Sequence, residues 1–237
     1  MSIQGKIKYL FSIIIILFFY LNAEAKPEVG RIVQLTGDVD LTDIDTGIKI
    51  VPGIGAKIHG NHKIRTGNKA FLEILLNDNT KIFLRELSII QISNLRMKAD
   101  NPPTTINFNT GKIRINLSKQ FKNWNLLVKT NVAVIGVRDI DTDLGIITTE
   151  YESKLAVFEG EAYIANSNRE IIKSYDVKAR EETGIMLNVP PMEPIVLPQE
   201  ILDVWLDYYD VVDKNRIIIK NRQDTGIIDS ILRKRKF

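Results

Sequence analysis

Between Val29 and about Ile185 the apolar residues fall in short, β-branched-rich runs that Gly, Asn and Asp interrupt at close intervals. Runs of this length, without a helical period, predict strands. The expected strands are Arg31 to Leu35, Val39 to Leu41, Ala70 to Leu76, Thr80 to Leu84, Ile89 to Ile92, Lys112 to Leu117, Leu126 to Lys129, Ala133 to Val137, Lys154 to Phe158 and Ala162 to Ala165. Thr36-Gly37-Asp38, Asn77-Asp78-Asn79 and Glu159-Gly160-Glu161 separate successive runs and carry tight-turn residues. In Lys112-Ile113-Arg114-Ile115-Asn116-Leu117 the alternation fits a strand with one buried face. The pattern predicts an all-β fold, a β-sandwich or β-roll of many short strands, with a C-terminal amphipathic helix.

The pattern changes near the C-terminus. Pro190, Pro191, Pro194 and Pro198 exclude a helix interior or a central strand and predict an extended connector over 188–199. Beyond it, Ile201, Trp205, Tyr208, Tyr209 and Val212 repeat at the spacing of one helical face. Two readings are open for this helix. It packs back on the β-domain, or it docks a partner through Trp205, Tyr208 and Tyr209, since aromatics favour interface cores. Residues 200–237 form this helical segment and end in the basic tail Arg233-Lys234-Arg235-Lys236.

At the other end, Lys6 and Lys8 precede the apolar run Tyr9 to Leu21, and Ala23-Glu24-Ala25 follows. A basic start, a short apolar stretch and an A-x-A end make an export signal over 1–25. The alternative is an uncleaved anchor, but the run is shorter than the roughly 20 residues that span a bilayer. The domain expected after it covers 26–187, in an exported protein of the periplasm or envelope, or one secreted further.

Charge and cysteine content narrow the function. The formal net charge of +3 over 237 residues, with no basic stripe apart from the tail, gives no case for nucleic acid. The absence of cysteine rules out disulfides, lipidation at an N-terminal Cys, thiol catalysis and Cys-ligated zinc. No G-x-S-x-G, P-loop or H-E-x-x-H motif occurs, and no cofactor is implied.

Several segments in order resemble the FecR domain, the periplasmic module named after the ferric citrate regulator. Val29-Gly30-Arg31-Ile32 with Gly37-Asp38-Val39 is similar to its opening hairpin, and Ile64-Arg65-Thr66-Gly67-Asn68-Lys69-Ala70 resembles its I-x-T-G turn. Leu75 to Ile82 resembles its L-x-D-G-S-x-I hairpin, and Gly111-Lys112-Ile113 its central strand start. Val128 to Arg138 resembles its v-x-T-P-x-a-x-x-G-V-R-G-T stretch, and Val157 to Ala162 its V-x-E-G-x-V. Asn131 stands in place of the family Pro, Asp139-Ile140 in place of Gly-Thr, and Asn79 in place of the hairpin Gly. Asn tolerates the left-handed conformation such a turn needs. The motif residues Thr66, Gly67, Gly136, Arg138, Glu159 and Gly160 read as structural. Gly67 and Gly160 are expected to supply positive φ, and Arg138 to pair with a carboxylate. The resemblance implies a stand-alone, non-enzymatic binding or sensing module whose partner is an envelope protein or cell-wall component.

Two local patterns suggest metals. Asp139, Asp141, Asp143 and Glu150 stand at positions 1, 3, 5 and 12 of a calcium-loop spacing, with Leu144 where Gly is needed. The competing expectation is a hairpin edge with outward aspartates. His59 and His62 make a pair without a third ligand, expected in a solvated turn. Asp38, Asp40, Asp43 and Asp45 are expected to decorate a turn. A structural envelope protein that binds a polymer or calcium is the alternative function.

Overall fold

The computed structural model describes residues 27–94, 103–117, 126–137 and 141–202. Seventeen strands follow one another along them. In the first half these are β1 (Glu28–Thr36), β2 (Val39–Asp43), β3 (Lys49–Ile50), β4 (Lys57–His59), β5 (His62–Thr66), β6 (Phe71–Leu76), β7 (Lys81–Leu84) and β8 (Ile89–Asn94). The long central strand is β9 (Thr104–Asn116). Then come β10 (Leu126–Lys129), β11 (Ala133–Val137), β12 (Asp143–Thr148), β13 (Glu152–Glu159), β14 (Glu161–Asn166), β15 (Ser174–Lys178), β16 (Glu181–Met186) and β17 (Ile195–Val196).

The pairings sort these strands into two layers. The first runs β4-β1-β6-β7-β9-β12-β13-β16-β17. The second runs β3-β2-β5-β8-β9-β10-β11-β14-β15. All pairs are antiparallel except β9 with β10. Strand β9 belongs to both layers. Thr104 to Thr110 pairs with β8 and β10, whereas Gly111 to Asn116 pairs with β7 and β12. Successive hairpins alternate between the layers, so the chain rolls around one core, and the expected all-β fold is the observed one.

The core lies between the two layers. Alternation within each half of β9 supplies it, with a change of phase at the crossing: Ile106 and Phe108 before it and Ile113 and Ile115 after it are buried, together with Ile64, Ile74, Ile82, Ile90, Ile135, Ile146 and Ile164 from the strands around them. β-branched side chains suit this pleated interior because they lose little rotamer freedom there.

Local turn chemistry explains the hairpins. Asn79 has φ 64°, the left-handed geometry expected of it, and its N–H donates to Leu76 O at 2.9 Å. Gly160 has φ 78°, and a Cβ there would stand 2.5 Å from Thr142 Oγ1. The crossing in β9 rests on Gly111, with φ 113° and no room for a side chain: a Cβ would lie 2.4 Å from Ser88 Cα. Ser88 Oγ fills that space and accepts the Lys112 N–H at 3.0 Å.

A candidate interaction face on one layer

The outer side of the first layer carries a second, smaller apolar cluster. Ala156 and Phe158 alternate with the core residues Leu155 and Val157 of β13, so they face outward. They are buried because the chain beyond β16 returns across them. The Met192 N–H donates to Gly184 O at 2.9 Å, and Thr183 Oγ1 donates to Met192 O at 2.6 Å. β17 pairs with the first two residues of β16, and the Leu197 N–H donates to Arg180 O at 2.7 Å. Residues 199–202 then make a helical turn, with the Ile201 and Leu202 N–H groups on Pro198 O. Leu197 and Leu202 close over Ala156 and Phe158, with Phe83, Ile147 and Ile201 at the margin. The proline-rich stretch is thus a strap laid along the sheet, extended as its prolines require.

Beside this cluster lies the main polar feature of the face. Arg114 points outward from β9, opposite in phase to Ile113 and Ile115, and is pinned between aromatic rings. Its guanidinium carbon stands 5.4 Å from the Phe158 ring centre and 6.0 Å from that of Phe83. Nε and Nη2 donate to the two carboxylate oxygens of Asp143 at 2.9 and 2.7 Å, and Asn116 Nδ2 donates to the same carboxylate at 3.2 Å. The planar guanidinium suits both demands, bidentate pairing at its edge and stacking on its faces. The alternation in Lys112 to Leu117 was a signal for Arg114, but the expected solvent face is covered.

This geometry bears on the calcium-loop spacing. Asp143 faces the outer side of the layer, but it is covered and not solvated, buried against Arg114 and Asn116. Asp141 lies in a bend with φ 69° just before β12, whereas Glu150 is exposed beyond its far end. A six-residue strand separates its ends by roughly 17 Å, so Glu150 is not brought to Asp143. Among the described residues no group of three or more His, Cys, Asp or Glu is placed to hold a metal ion. Asp139 lies outside the described residues.

The histidine pair also differs from expectation. His62 opens β5 in phase with Ile64 and is buried, not solvated. Its Nδ1 accepts the His59 N–H at 3.3 Å, and the two rings meet edge to face at 5.2 Å. Burial lowers the His62 pKa, His59 lowers it further, and Asp43 opposes both. Of the acidic cluster, Asp40 is within β2, and Asp43 caps the turn that follows, accepting the N–H groups of Asp45 and Thr46 at 2.9 and 3.0 Å. The Thr46 contact leads in holding the Asp43 carboxyl below its ordinary pKa.

The family-motif residues fall on turns and close approaches. Thr66 Oγ1 donates to Arg85 O at 2.6 Å and accepts the Ser88 N–H at 2.9 Å, tying β5 to the end of β7. Gly67 follows it and does not have positive φ; it admits Asp38, whose Cβ a side chain at 67 would meet at 3.0 Å. Gly136 in β11 gives space to the Tyr163 ring. Glu159 is exposed where β13 turns at Gly160. Arg138, Trp205, Tyr208 and Tyr209 lie outside the described residues, as do the expected export signal and basic tail.

The family model described as FecR protein matches residues 62–163. Two crystal structures, each of a candidate anti-sigma factor from Parabacteroides distasonis, share the architecture. One aligns with a TM-score of 0.52 and 10% identity over 73% of this chain and 91% of its own. The other aligns at 0.50 and 11%, over 65% and 74%. At such identities the likeness shows the fold. No curated protein sequence matches. Among the described residues no helix is long and apolar enough to cross a membrane.

Proposed function

We propose that this chain, whose residues 62–163 match the FecR family model, is an exported, non-enzymatic module that senses or regulates by binding a protein partner in the bacterial envelope. The observation that carries the proposal is the strapped face. Leu197 and Leu202 anchor the C-terminal segment on the outer side of the first layer, and the aromatics Trp205, Tyr208 and Tyr209 follow within seven residues of that anchor. The β-roll would serve as a rigid platform and the segment after Leu202 as the docking element. Fold-sharing proteins named as candidate anti-sigma factors support a regulatory role.

Photo-crosslinking in the native envelope tests this. A crosslinker at Trp205 or Tyr208 is expected to capture one defined envelope protein, and the same group at Ile172 is not. Leu202→Asp should loosen the anchor and abolish the adduct in a chain that still folds. Adducts confined to the chain itself would instead make the aromatics a cap on the β-domain and overturn the docking role.

A further inference from the structure

Of the large apolar residues exposed among the described residues, five fall in the arm between β2 and β4. Val51 is 85% and Ile54 72% exposed, and Ile44, Ile48 and Ile50 lie between 43% and 60%. Five exposed aliphatic side chains within eleven residues exceed the singly scattered apolar residues of an ordinary surface. The arm is held in place at both ends. The Ile44 N–H donates to Asn61 O at 3.0 Å, Asn61 Nδ2 to Asp45 Oδ2 at 3.3 Å, and the Gly55 N–H to Ile32 O at 2.8 Å. A fixed frame thus presents these side chains to solvent.

Two kinds of occupant fit poorly. Strand addition along β3 is opposed by its two-residue length, by Lys49 within it and by Pro52 after it. A stable protein interface buries about 800 Å² on each partner, more than the arm provides. The position of the arm favours a third occupant. Asn61, which holds Ile44, lies two residues from His59, and His59 pairs with Glu28 at the start of β1. Lys57 is salt-bridged to Glu28 at 2.8 Å. The apolar run Tyr9 to Leu21 ends just before this point in sequence. A fully extended chain spans at most about 3.5 Å per residue, so Leu21 can stand no farther than about 25 Å from Glu28. Where that run stays attached in a bilayer, as an uncleaved signal or anchor, this end of the roll is held beside the lipid. Lys49 and Lys63, which both pair with Thr42 of β2, lie beside the arm and are long enough to reach headgroup phosphates, whereas Lys57 is held by Glu28.

We propose that the 44–54 arm is a lipid-contact element whose aliphatic tip enters the headgroup–acyl boundary of a phospholipid bilayer. This stands apart from the protein-binding role of the strapped face and survives its failure.

The absence of native cysteine makes the test direct. Val51→Cys, Ile54→Cys and Ile172→Cys are each labelled with an environment-sensitive fluorophore in the full chain. Each is then reconstituted in phosphatidylethanolamine–phosphatidylglycerol vesicles. Ile172 is 92% exposed and lies in the β14–β15 loop, at the opposite end of the second layer from Asn61. The expected result is a blue shift at 51 and 54, with quenching by nitroxide-labelled lipid, and neither effect at 172. Adding Ile48→Asp and Ile50→Asp should return position 51 to the emission it has in water. Emission at 51 as water-like as at 172 on vesicle-bound chain would overturn the proposal. So would a blue shift accompanied by chain-to-chain crosslinking and no lipid quenching, which would assign the arm to a second copy. A shift without either quenching or self-crosslinking would also count against lipid.

Discussion

Arg114 and Asp143 meet on the outer side of the first layer in a two-point ion pair, 13% and 7% exposed, on facing ends of β9 and β12. Removing one member of a shielded pair strands the other, which costs about 3–5 kcal/mol, whereas replacing both by apolar residues is far less costly. Arg114→Met alone should lower stability by about 3 kcal/mol, and Arg114→Met with Asp143→Leu should recover most of it. Urea melts of the four proteins of this cycle check the coupling. Additive losses would mean that the pair is worth little.

Gly111→Ala should be among the most damaging single-methyl changes in the chain. It combines a positive φ with a Cβ 2.4 Å from the Ser88 main chain, and both layers converge there. A loss of ~3 kcal/mol or more is expected from strain and overpacking. Gly136→Ala should cost less, about 1–2 kcal/mol, because the obstructing atoms are the outer part of the Tyr163 ring and can swing aside. Thermal melts of the two variants give the order, and equal losses would refute this account.

Asp78 carries a pH dependence. Its carboxyl is buried in the β6–β7 turn, Oδ1 accepting the Thr80 N–H at 2.7 Å while Oδ2 has no hydrogen-bond partner. Burial raises its pKa above the ordinary 3.8, with the Thr80 N–H acting the other way. The folded state therefore holds this proton more tightly than the unfolded chain does. Stability is unaffected well below 3.8, falls as pH rises through the elevated value and levels off above it. Asp78→Asn keeps the acceptor and removes the titration, so it should flatten this slope and stabilise the fold near neutral pH by about 1 kcal/mol. His62 acts oppositely, losing stability as pH falls below 6.5, so the difference between wild type and Asp78→Asn isolates the carboxyl. A difference that does not change with pH would refute the assignment.

The strap should open before the roll does. Leu197 and Leu202 belong to the small outer cluster, not the main core. Leu197→Ala is expected to cost roughly 2–3 kcal/mol and to speed amide exchange over 192–202, leaving Ile64 and Ile135 protected. Uniformly faster exchange across the chain would instead place the strap within the global cooperative unit.

The hairpins were legible in the sequence because their signals are local. Asn77-Asp78-Asn79 and Glu159-Gly160-Glu161 state their turns within three residues, and the β-branched runs between them have strand length. What the sequence hid depends on distant partners. Nothing near Arg114 announces that Phe83 and Phe158 will flank its guanidinium or that Asp143 will pair with it. His62 looked solvated beside Gly60 and Asn61, yet its phase with Ile64 in β5 turns it inward. The calcium-loop spacing read Asp143 and Glu150 as neighbours, and an extended β12 holds them apart. Gly67 was read for its backbone freedom, but a close approach by Asp38 is what requires it.

The sharing of β9 has a consequence for how the chain can be divided. Synthesis through β8 leaves β7 and β8 each with an unpaired edge, and one later strand closes both. The first half therefore has no finished state of its own. Severed ahead of β9, the two pieces would carry matching unfilled borders. Each would remain sticky and aggregation-prone until it met the other, so the protein should tolerate a nick there far better than the loss of either piece.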